Sequence, residues 1–396
     1  MVVYNIRNNK QSNMAKKSKV GIKVPTKNEI LKKYGEIVKL ASETKESGLW
    51  LPSTFFALNY TFGGGIPFGK ILEVAGEESS GKSLIAYNFA YTTQQLGGHV
   101  IWVDAESSWM NSWAIENGVD PEKVTVVNDT RIEYVSDVVA DLAIYTRSQL
   151  THNEPILLVI DSVAAMDCAD NIDSKMVEGK AEMGGRAKAL YKYFRIRSEL
   201  FYRLGVTQIY INQLRTALNV GFGKDNTTTT GGVALKFYAS IRAAFYSGRS
   251  ITVKQKGKER KAGKLVTIRL IKNKVAPPRP TISKCPVYFN PKFHEVGFDR
   301  CFGLEDVLVE NDIIEKSSGG IYKYKGKTLA RGEEKFQKLL EEDDELRRKL
   351  LRRANINTIG TTKKRLGEID FNYFPVDENI EYESFNGSEE DEKDDE

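Results

Sequence analysis

Residues 76–83, GEESSGKS, match the pattern G-x-x-x-x-G-K-S/T at every defined position, and the apolar run ILEVA precedes them. A helical pattern from Lys82 to Leu96 follows. Such a loop turns consecutive backbone N–H groups toward a phosphate at a helix N-terminus, where the dipole favours negative charge. We predict that it binds a nucleoside triphosphate, with Lys82 at the β- and γ-phosphates and the Ser83 hydroxyl on Mg²⁺. The alternative is a Gly/Ser-rich turn that only caps a helix. The predicted nucleotide-binding residues of this segment are Gly76, Glu77, Glu78, Ser79, Ser80, Gly81, Lys82, Ser83 and Leu84.

Two carboxylates at the ends of apolar strand patterns could complete this chemistry. Asp161 ends the pattern over 155–161, where it could hold Mg²⁺ opposite Ser83. Glu106 lies just beyond the pattern over 99–104. Ligands of open parallel sheets lie beyond the carboxyl ends of the strands, so we expect Glu106 to face the γ-phosphate and polarise the attacking water. The alternative for Glu106 is an acid at a helix N-terminus.

Two further side chains are expected at the same edge of the sheet. Gln213 ends the strand pattern over 208–212 and could sense the γ-phosphate. Trp113 follows Glu106 by about two helical turns and offers a flat face to a base, although a core tryptophan is an equal alternative.

Two Gly-rich segments have the composition of single-strand binding loops. The connection after Gln213, LRTALNVGFGKDNTTTTGG, is unusually long for a compact domain. It offers cations for phosphates, apolar side chains that can wedge between bases, and glycine N–H groups. The second segment precedes the helix pattern over 186–204. Two solvated loops are the alternative. The candidate DNA-binding residues are Met183, Gly184, Lys188, Arg195, Arg215, Leu218, Val220, Phe222, Lys224, Gly231 and Gly232.

The composition is that of a globular protein, and its charge is segregated. The chain has 396 residues, 41% hydrophobic and 28% charged, and a net charge of +5. Residues 1–33 are basic, the block from Arg249 to Lys274 holds ten cations and one acid, and the last residues are strongly acidic. This segregation predicts a polyanionic partner. Three scattered cysteines and no long apolar run predict an intracellular, cytoplasmic protein without a disulfide framework, a zinc site or a membrane span.

The strand and helix patterns predict an α/β fold with a mainly parallel sheet covered on both faces. A short amphipathic helix is expected over 28–47, and strand patterns over 241–247 and 265–275 are separated by an expected turn, GKERKAGK. A charged helical run, 332–354, belongs to a small α+β segment. We expect a basic arm with an oligomerisation helix (1–50), an ATPase and DNA-binding core (51–293), a small C-terminal domain (294–372) and an acidic disordered tail (373–396).

Several motifs together resemble the bacterial RecA recombinase family in order and spacing over residues 51 to about 340. They are GEESSGKS, VDAE at 103–106, LLVIDSVAAM at 157–166, INQLR at 211–215, TTTTGGVALKFYAS at 227–240 and IKNK at 271–274. The resemblance implies a RecA-type P-loop core, Mg²⁺ and ATP as cofactors, a homo-oligomeric filament on single-stranded DNA, and strand exchange with homologous duplex DNA. It also implies single-strand-binding and mediator proteins as partners.

The resemblance assigns roles residue by residue. Glu106 is similar to the family's catalytic carboxylate, Gln213 to its γ-phosphate sensor and Trp113 to an aromatic residue against adenine. Lys272 and Lys274 resemble the pair that reaches the neighbouring subunit's ATP. The segments with Met183 and Leu218 match the two DNA-binding loops. The family also implies that the N-terminal helix packs on the next subunit and that the acidic tail restrains duplex binding.

The chain departs from the family pattern at several positions. Met110 stands where an acid is common, Lys188 replaces an arginine, Ala217 replaces a lysine, and one extra residue precedes Gly231. The N-terminal segment is longer and more basic. These departures indicate a divergent member, encoded by a bacterium or a phage. A RecA-like helicase, a repair accessory ATPase and a non-catalytic, ATP-gated DNA scaffold are the alternatives.

Overall fold

The computed structural model describes residues 26–34, 48–150, 153–173, 184–216, 227–255, 257–277, 279–369 and 374. The chain divides into two units, residues 1–47 and 48–396. In the first unit, helix α1 (Lys27–Tyr34) begins with a reciprocal cap, in which Thr26 and Glu29 each bond the other's backbone N–H. The helix predicted over 28–47 therefore begins as expected, and residues 35–47 lie outside the described part.

The second unit alternates strands with helices. Its strands are β1 Trp50–Leu51, β2 Ile66–Pro67, β3 Ile71–Gly76, β4 His99–Asp104, β5 Val124–Val127, β6 Ile156–Asp161, β7 Val206–Thr216, β8 Thr227–Thr229, β9 Ile241–Gln255, β10 Lys258–Asn273, β11 Ile282–Tyr288, β12 Gly297–Phe298, β13 Glu315–Lys316, β14 Ile321–Tyr324 and β15 Lys327–Arg331. Its helices are α2 Phe56–Phe62, α3 Lys82–Gln95, α4 Asn111–Glu116, α5 Ile132–Gln149, α6 Ala169–Asp173, α7 Gly185–Arg203, α8 Ala234–Tyr238, α9 Leu304–Glu310, α10 Glu333–Glu342, α11 Asp344–Arg353 and α12 Ile359–Glu368.

The large sheet has the order β12-β11-β10-β9-β3-β7-β6-β4-β5, with β8 paired to β7. The six strands from β9 to β5 in this order run parallel, and β10, β11 and β12 continue the sheet in antiparallel pairs. This is the predicted α/β class with a mainly parallel sheet. Because β3, β7, β6 and β4 are neighbours and parallel, their carboxyl ends meet at one edge.

Alternate side chains of these strands enter two different cores, because successive residues of a strand point to opposite faces. One face packs against α3 and the other against α5 and α7. The first core contains Leu72, Val74, Val100, Trp102, Leu157, Val159, Ile85 and Phe89, and the second contains Ile101, Val103, Leu158, Ile160, Val135, Val139, Leu190 and Phe194. Burial on both faces explains why these strands read as continuous apolar runs.

Three sequence expectations are corrected by the structure. Residues 258–264 of the expected turn are strand, because β9 and β10 form one long hairpin in which Lys258 pairs with Gln255. The strand expected to end at Gln213 continues to Thr216, where β8 extends its ladder. The charged run 332–354 forms two helices rather than one, because Asp343 ends α10 and caps α11 by accepting from Leu346 N–H at 2.9 Å.

A third, smaller core lies between the antiparallel sheet β13-β14-β15 and helices α9 to α11, and it contains Tyr60 of α2 together with residues from Cys301 to Ile356. Within this core, the rings of Tyr322 and Phe336 are stacked with their centroids 4.4 Å apart. Among the described residues, no helix combines the length and the apolar character needed to cross a lipid bilayer.

Candidate nucleotide and DNA site

The loop between β3 and α3 forms a cradle with little room for side chains. A Cβ at Gly76 would lie 2.6 Å from Ser80 Oγ and 2.7 Å from Phe245 O, so only glycine fits where the loop leaves the sheet. Gly81 has φ of +87° and directly precedes α3. Ser80 Oγ donates to Glu77 O at 2.8 Å and holds the turn. The N-terminus of α3 is thereby open toward an anion.

The side chain of Lys82 is held inside the phosphate loop by a backbone carbonyl. Its Nζ donates to Glu77 O at 2.6 Å, which places the amine over the cradle. Burial lowers the pKa of Lys82, and the carboxylates of Asp161 and Glu106 oppose that effect. The negative charge of a phosphate bound in the loop would stabilise the charged form of Lys82, which burial disfavours.

Ser83 and Asp161 meet as the sequence predicts. Ser83 Oγ donates to Asp161 Oδ2 at 2.8 Å, and Asp161 is 4% exposed. Burial raises the pKa of Asp161 to about 6, and the carboxylates of Glu106 and Asp104 add to the rise. A buried group of oxygen ligands with excess negative charge fits Mg²⁺, which prefers carboxylate and hydroxyl oxygens together with phosphates.

Glu106 lies at the same edge, on the loop that follows β4. Asp104 and Asp161 are direct neighbours in the register of β4 and β6. Asp104 accepts from the backbone N–H groups of Ser108 and Trp109 at 2.9 and 2.8 Å and so shapes the loop that carries Glu106. The Ser162 hydroxyl donates to the Glu106 carboxylate and orients it. The exposed Glu106 is thus held beside the Ser83–Asp161 pair.

Gln213 pairs with Gly76 across β7 and β3, which puts it next to the start of the phosphate loop. Its neighbour Asn212 belongs to a buried polar network that the sequence analysis missed. Asn212 Nδ2 donates to Glu73 Oε1 at 3.1 Å and to Thr230 O at 3.0 Å, while Asn212 Oδ1 accepts from Gln213 N at 2.9 Å. Arg242 completes the network as the ion-pair partner of the fully buried Glu73.

Trp113 is half-buried and lines a cavity of about 420 Å³ that also includes the phosphate loop. This placement favours the predicted contact with a base over a purely structural tryptophan. The cavity adds two residues that sequence reasoning missed, Phe289 and Lys264. Lys264 Nζ donates to Ser247 Oγ at 3.1 Å. No local pattern marks either residue, because strand pairing alone brings them to the loop.

Lys272 and Lys274 are not brought to the phosphate loop of their own chain. Lys272 pairs with Arg242, which pairs with Glu73, three residues before the end of β3. Its Nζ donates to the carbonyls of Lys236 and Phe237, at 2.7 and 3.1 Å, at the end of α8. Burial lowers the pKa of Lys272, and the nearby cations Lys274 and Arg242 add to this. Within one chain these two lysines take no part in the nucleotide site.

The ends of the two candidate DNA loops lie against each other. A Cβ at Gly231 would lie 2.8 Å from Leu190 Cδ1, and one at Gly232 would lie 3.2 Å from the Ala187 Cβ, both on α7. Gly184, with φ of +91°, directly precedes the same helix. Lys188 and Arg195 are exposed along α7. The glycine turns therefore contact α7 through Ala187 and Leu190, whereas the exposed Lys188 and Arg195 lie roughly 80–160° further around the same helix.

Part of the predicted DNA surface lies outside the described residues: Met183, Leu218, Val220, Phe222 and Lys224. Arg215 lies on β7, paired with Thr228, at the base of the second loop.

A short segment after β6 joins the nucleotide and DNA sides. Ser162 binds Glu106, and the next residue, Val163, lies 3.4 Å from a Cβ built at Gly231. Arg186, in the first turn of α7, donates to Ala164 O at 3.3 Å and pairs with Asp167 at 3.3 Å. Residues 162–167, which we call the junction segment, thus contact Glu106 and both loop ends.

The comparisons with known proteins agree with this geometry. A family model described as the RecA N-terminal domain matches residues 23–290. Protein RecA of Saccharopolyspora erythraea is 34% identical over 328 residues, which cover 82% of this chain and 89% of that protein. Protein RecA of Corynebacterium efficiens is 32% identical over 360 residues (89% and 88%), and that of Picosynechococcus sp. is 32% identical over 322 residues (81% and 86%). The chain is a member of the RecA family, the ATP- and DNA-binding proteins of recombination and repair.

Proposed function

We propose that this chain is a DNA-dependent ATP hydrolase that forms a helical filament on single-stranded DNA and catalyses homologous pairing and strand exchange. The observation that carries the proposal is the junction segment, which touches Glu106 on one side and the ends of both DNA loops on the other. A bound strand that shifts these loop ends would act on the catalytic carboxylate through three consecutive residues. The cytoplasm, where ATP and DNA are both available, is the proposed location.

The residues of the nucleotide site have separate tasks in this mechanism. The loop N–H groups and Lys82 bind the phosphates, and Ser83 and Asp161 hold the cation. Mg²⁺, when bound, neutralises charge on the phosphate oxygens. Glu106 orients and polarises the attacking water, acting as a general base. Gln213 senses the γ-phosphate, and Asn212 carries its position to Thr230, next to the glycines of the second loop.

Lys272 and Lys274 act on the nucleotide of the neighbouring subunit. Their position away from their own loop supports this role, because a pair that contacts phosphate within one chain would lie at the carboxyl ends of the parallel strands. With the γ-phosphate gone after hydrolysis, the interface loses contacts and loosens. Hydrolysis is thereby coupled to disassembly.

Electron microscopy and strand exchange test this proposal together. With single-stranded DNA, Mg²⁺ and a slowly hydrolysed ATP analogue, we expect continuous helical filaments that follow the DNA length. With ATP, the same protein should convert a circular single strand and a homologous linear duplex into joint molecules, and a heterologous duplex of equal length should give none. Closed rings of fixed size would favour a helicase, and filaments without joint molecules would favour an accessory ATPase or a scaffold.

A further inference from the structure

A fully buried carboxylate lies in the middle of the large sheet, on a strand whose neighbouring side chains are apolar. Glu73 stands between Leu72 and Val74 on β3, which has a parallel neighbour on each side. Both carboxylate oxygens are bonded: Oε1 accepts from Asn212 Nδ2 at 3.1 Å, and Oε2 accepts from Arg242 Nε. One oxygen therefore serves β7 and the other serves β9.

Stability alone does not account for a charge at this position. Taking a carboxylate and a guanidinium out of water costs free energy that their attraction often fails to exceed, and apolar side chains of similar volume are often at least as stable. Ile71, two residues earlier on the same face of β3, packs in the second core in just this way. The ion pair of Glu73 and Arg242 therefore indicates a requirement other than packing.

The Glu73 carboxylate determines which way the Asn212 amide points. An ionised carboxylate only accepts hydrogen bonds, so the amide must present its NH₂ group to Glu73. The same nitrogen donates to Thr230 O at 3.0 Å, and the amide oxygen accepts from Gln213 N at 2.9 Å. Turning the amide over would place its oxygen against the carboxylate and would lose all three bonds.

The oriented amide joins the nucleotide side of the site to the DNA side. Gln213 pairs with Gly76, where the phosphate loop begins. Thr230 directly precedes Gly231, which packs against α7. Through one side-chain amide, Glu73 thus holds both the strand end beside the phosphate loop and the segment that ends the second candidate DNA loop.

We propose that Glu73 is a positioning residue that couples the nucleotide to the DNA loops. Its carboxylate fixes the Asn212 amide, and that amide transmits a shift at Gln213 to the end of the second loop at Thr230. Arg242 keeps the carboxylate ionised and in place. This inference rests on the proposed function, in which Gln213 senses the γ-phosphate, and it adds a residue that belongs to neither the nucleotide motifs nor the DNA loops. The competing explanation is that the ion pair only joins β3 to β9.

Two double variants of the full-length chain separate positioning from stability. Replacing Glu73 alone would leave the buried Arg242 guanidinium without its carboxylate, so both variants also carry Arg242→Met. In Glu73→Leu/Arg242→Met the Asn212 amide loses its acceptor, whereas in Glu73→Gln/Arg242→Met a side-chain oxygen still accepts from it. Urea unfolding should show that both variants are folded. The leucine variant should be at least as stable as the glutamine variant, which buries an amide N–H group beside an apolar side chain.

Coupling is measured as the affinity for a labelled single strand with a slowly hydrolysed ATP analogue, divided by the affinity with ADP. In the unaltered chain this ratio should be roughly 5 to 150, the usual range of coupling between two sites. It should fall to about 1–2 in the leucine variant and stay within about threefold of the original in the glutamine variant. The affinity of both variants for a fluorescent ATP analogue should be unchanged, because the phosphate loop is not altered.

The matched pair of variants makes the result decisive. A folded leucine variant that keeps the ratio of the unaltered chain would overturn the proposal. An equal loss of the ratio in the glutamine variant would overturn it too, because an acceptor for Asn212 would then be present without effect. A ratio of one in the unaltered chain would refute the proposed function, and this inference with it, and that failure is recognised because it occurs without any substitution.

Discussion

Replacing Asp161 by Asn should stabilise the cation-free protein and abolish ATP hydrolysis. Burial holds the pKa of this carboxyl at about 6, above its ordinary value of 3.8. At about 1.4 kcal/mol per pKa unit, the charged carboxylate costs the folded state about 3 kcal/mol at neutral pH. Asparagine has nearly the same shape and still accepts from Ser83, but it carries no charge. The pKa of about 6 already includes the attraction of Lys82, so we expect a net gain of at most about 3 kcal/mol.

The raised pKa of Asp161 also determines how the free energy of unfolding changes with pH. The folded state binds the Asp161 proton more tightly than the unfolded state does, so this residue lowers stability as the pH rises from about 4 to above 6. Below this window both states are protonated and the two proteins should be equally stable. The advantage of the D161N variant should therefore appear between these pH values and reach its full size at pH 7.

Urea unfolding in a chelating buffer at pH 4 and pH 7 measures this difference. The matched control is Asp141→Asn, which removes an exposed carboxylate of α5 and should leave the free energy of unfolding within about 0.5 kcal/mol of the original. With Mg²⁺ and ATP the order should reverse, because only the unaltered protein gains stability from cation and nucleotide together. A D161N variant that is less stable than the unaltered chain at pH 7 without cation would refute the electrostatic reasoning.

Three further substitutions test other parts of the site. Glu106→Gln should leave the affinity for a fluorescent ATP analogue unchanged and lower turnover at least about 100-fold, and unchanged hydrolysis would remove Glu106 as the general base. Gly231→Ala adds a Cβ 2.8 Å from Leu190, whereas Gly184→Ala meets no described atom within 4 Å, and both have positive φ. Urea unfolding should therefore show Gly231→Ala to be less stable than Gly184→Ala by about 1–3 kcal/mol, and equal losses would contradict the packing argument. Arg186→Met breaks the contacts of α7 with the junction segment and should reduce stimulation by single-stranded DNA while leaving DNA-free hydrolysis unchanged, and a parallel loss of both rates would indicate a merely structural role.

Much of the nucleotide site could be predicted because its determinants are local in sequence. The strand over 99–104 begins and ends as predicted, and the apolar runs form the parallel sheet. Once those strands are parallel neighbours, their carboxyl ends must meet, so Ser83, Asp161 and Glu106 had to converge. The motif and the sheet rule together were sufficient for this part of the site.

The remaining features depend on pairing between distant segments. Residues 257–264 were expected to form a turn because glycine and lysine dominate them, but pairing of residues 258–264 with β9 makes them strand. Phe289 and Lys264 reach the nucleotide cavity through the antiparallel strands, which no local signal indicates. One signal was available and missed. Glu73 lies inside the apolar run ILEVA, and a charged residue in a buried strand requires partners such as Arg242 and Asn212.

ATP hydrolysis measured with and without single-stranded DNA, at low and high salt, tests the central claim most directly. We predict slow hydrolysis without DNA, strong stimulation by a single strand at low salt, and a loss of stimulation as salt weakens the phosphate contacts. The same rate with and without DNA at every salt concentration would contradict the account, because the junction segment would then carry no signal between the two sites.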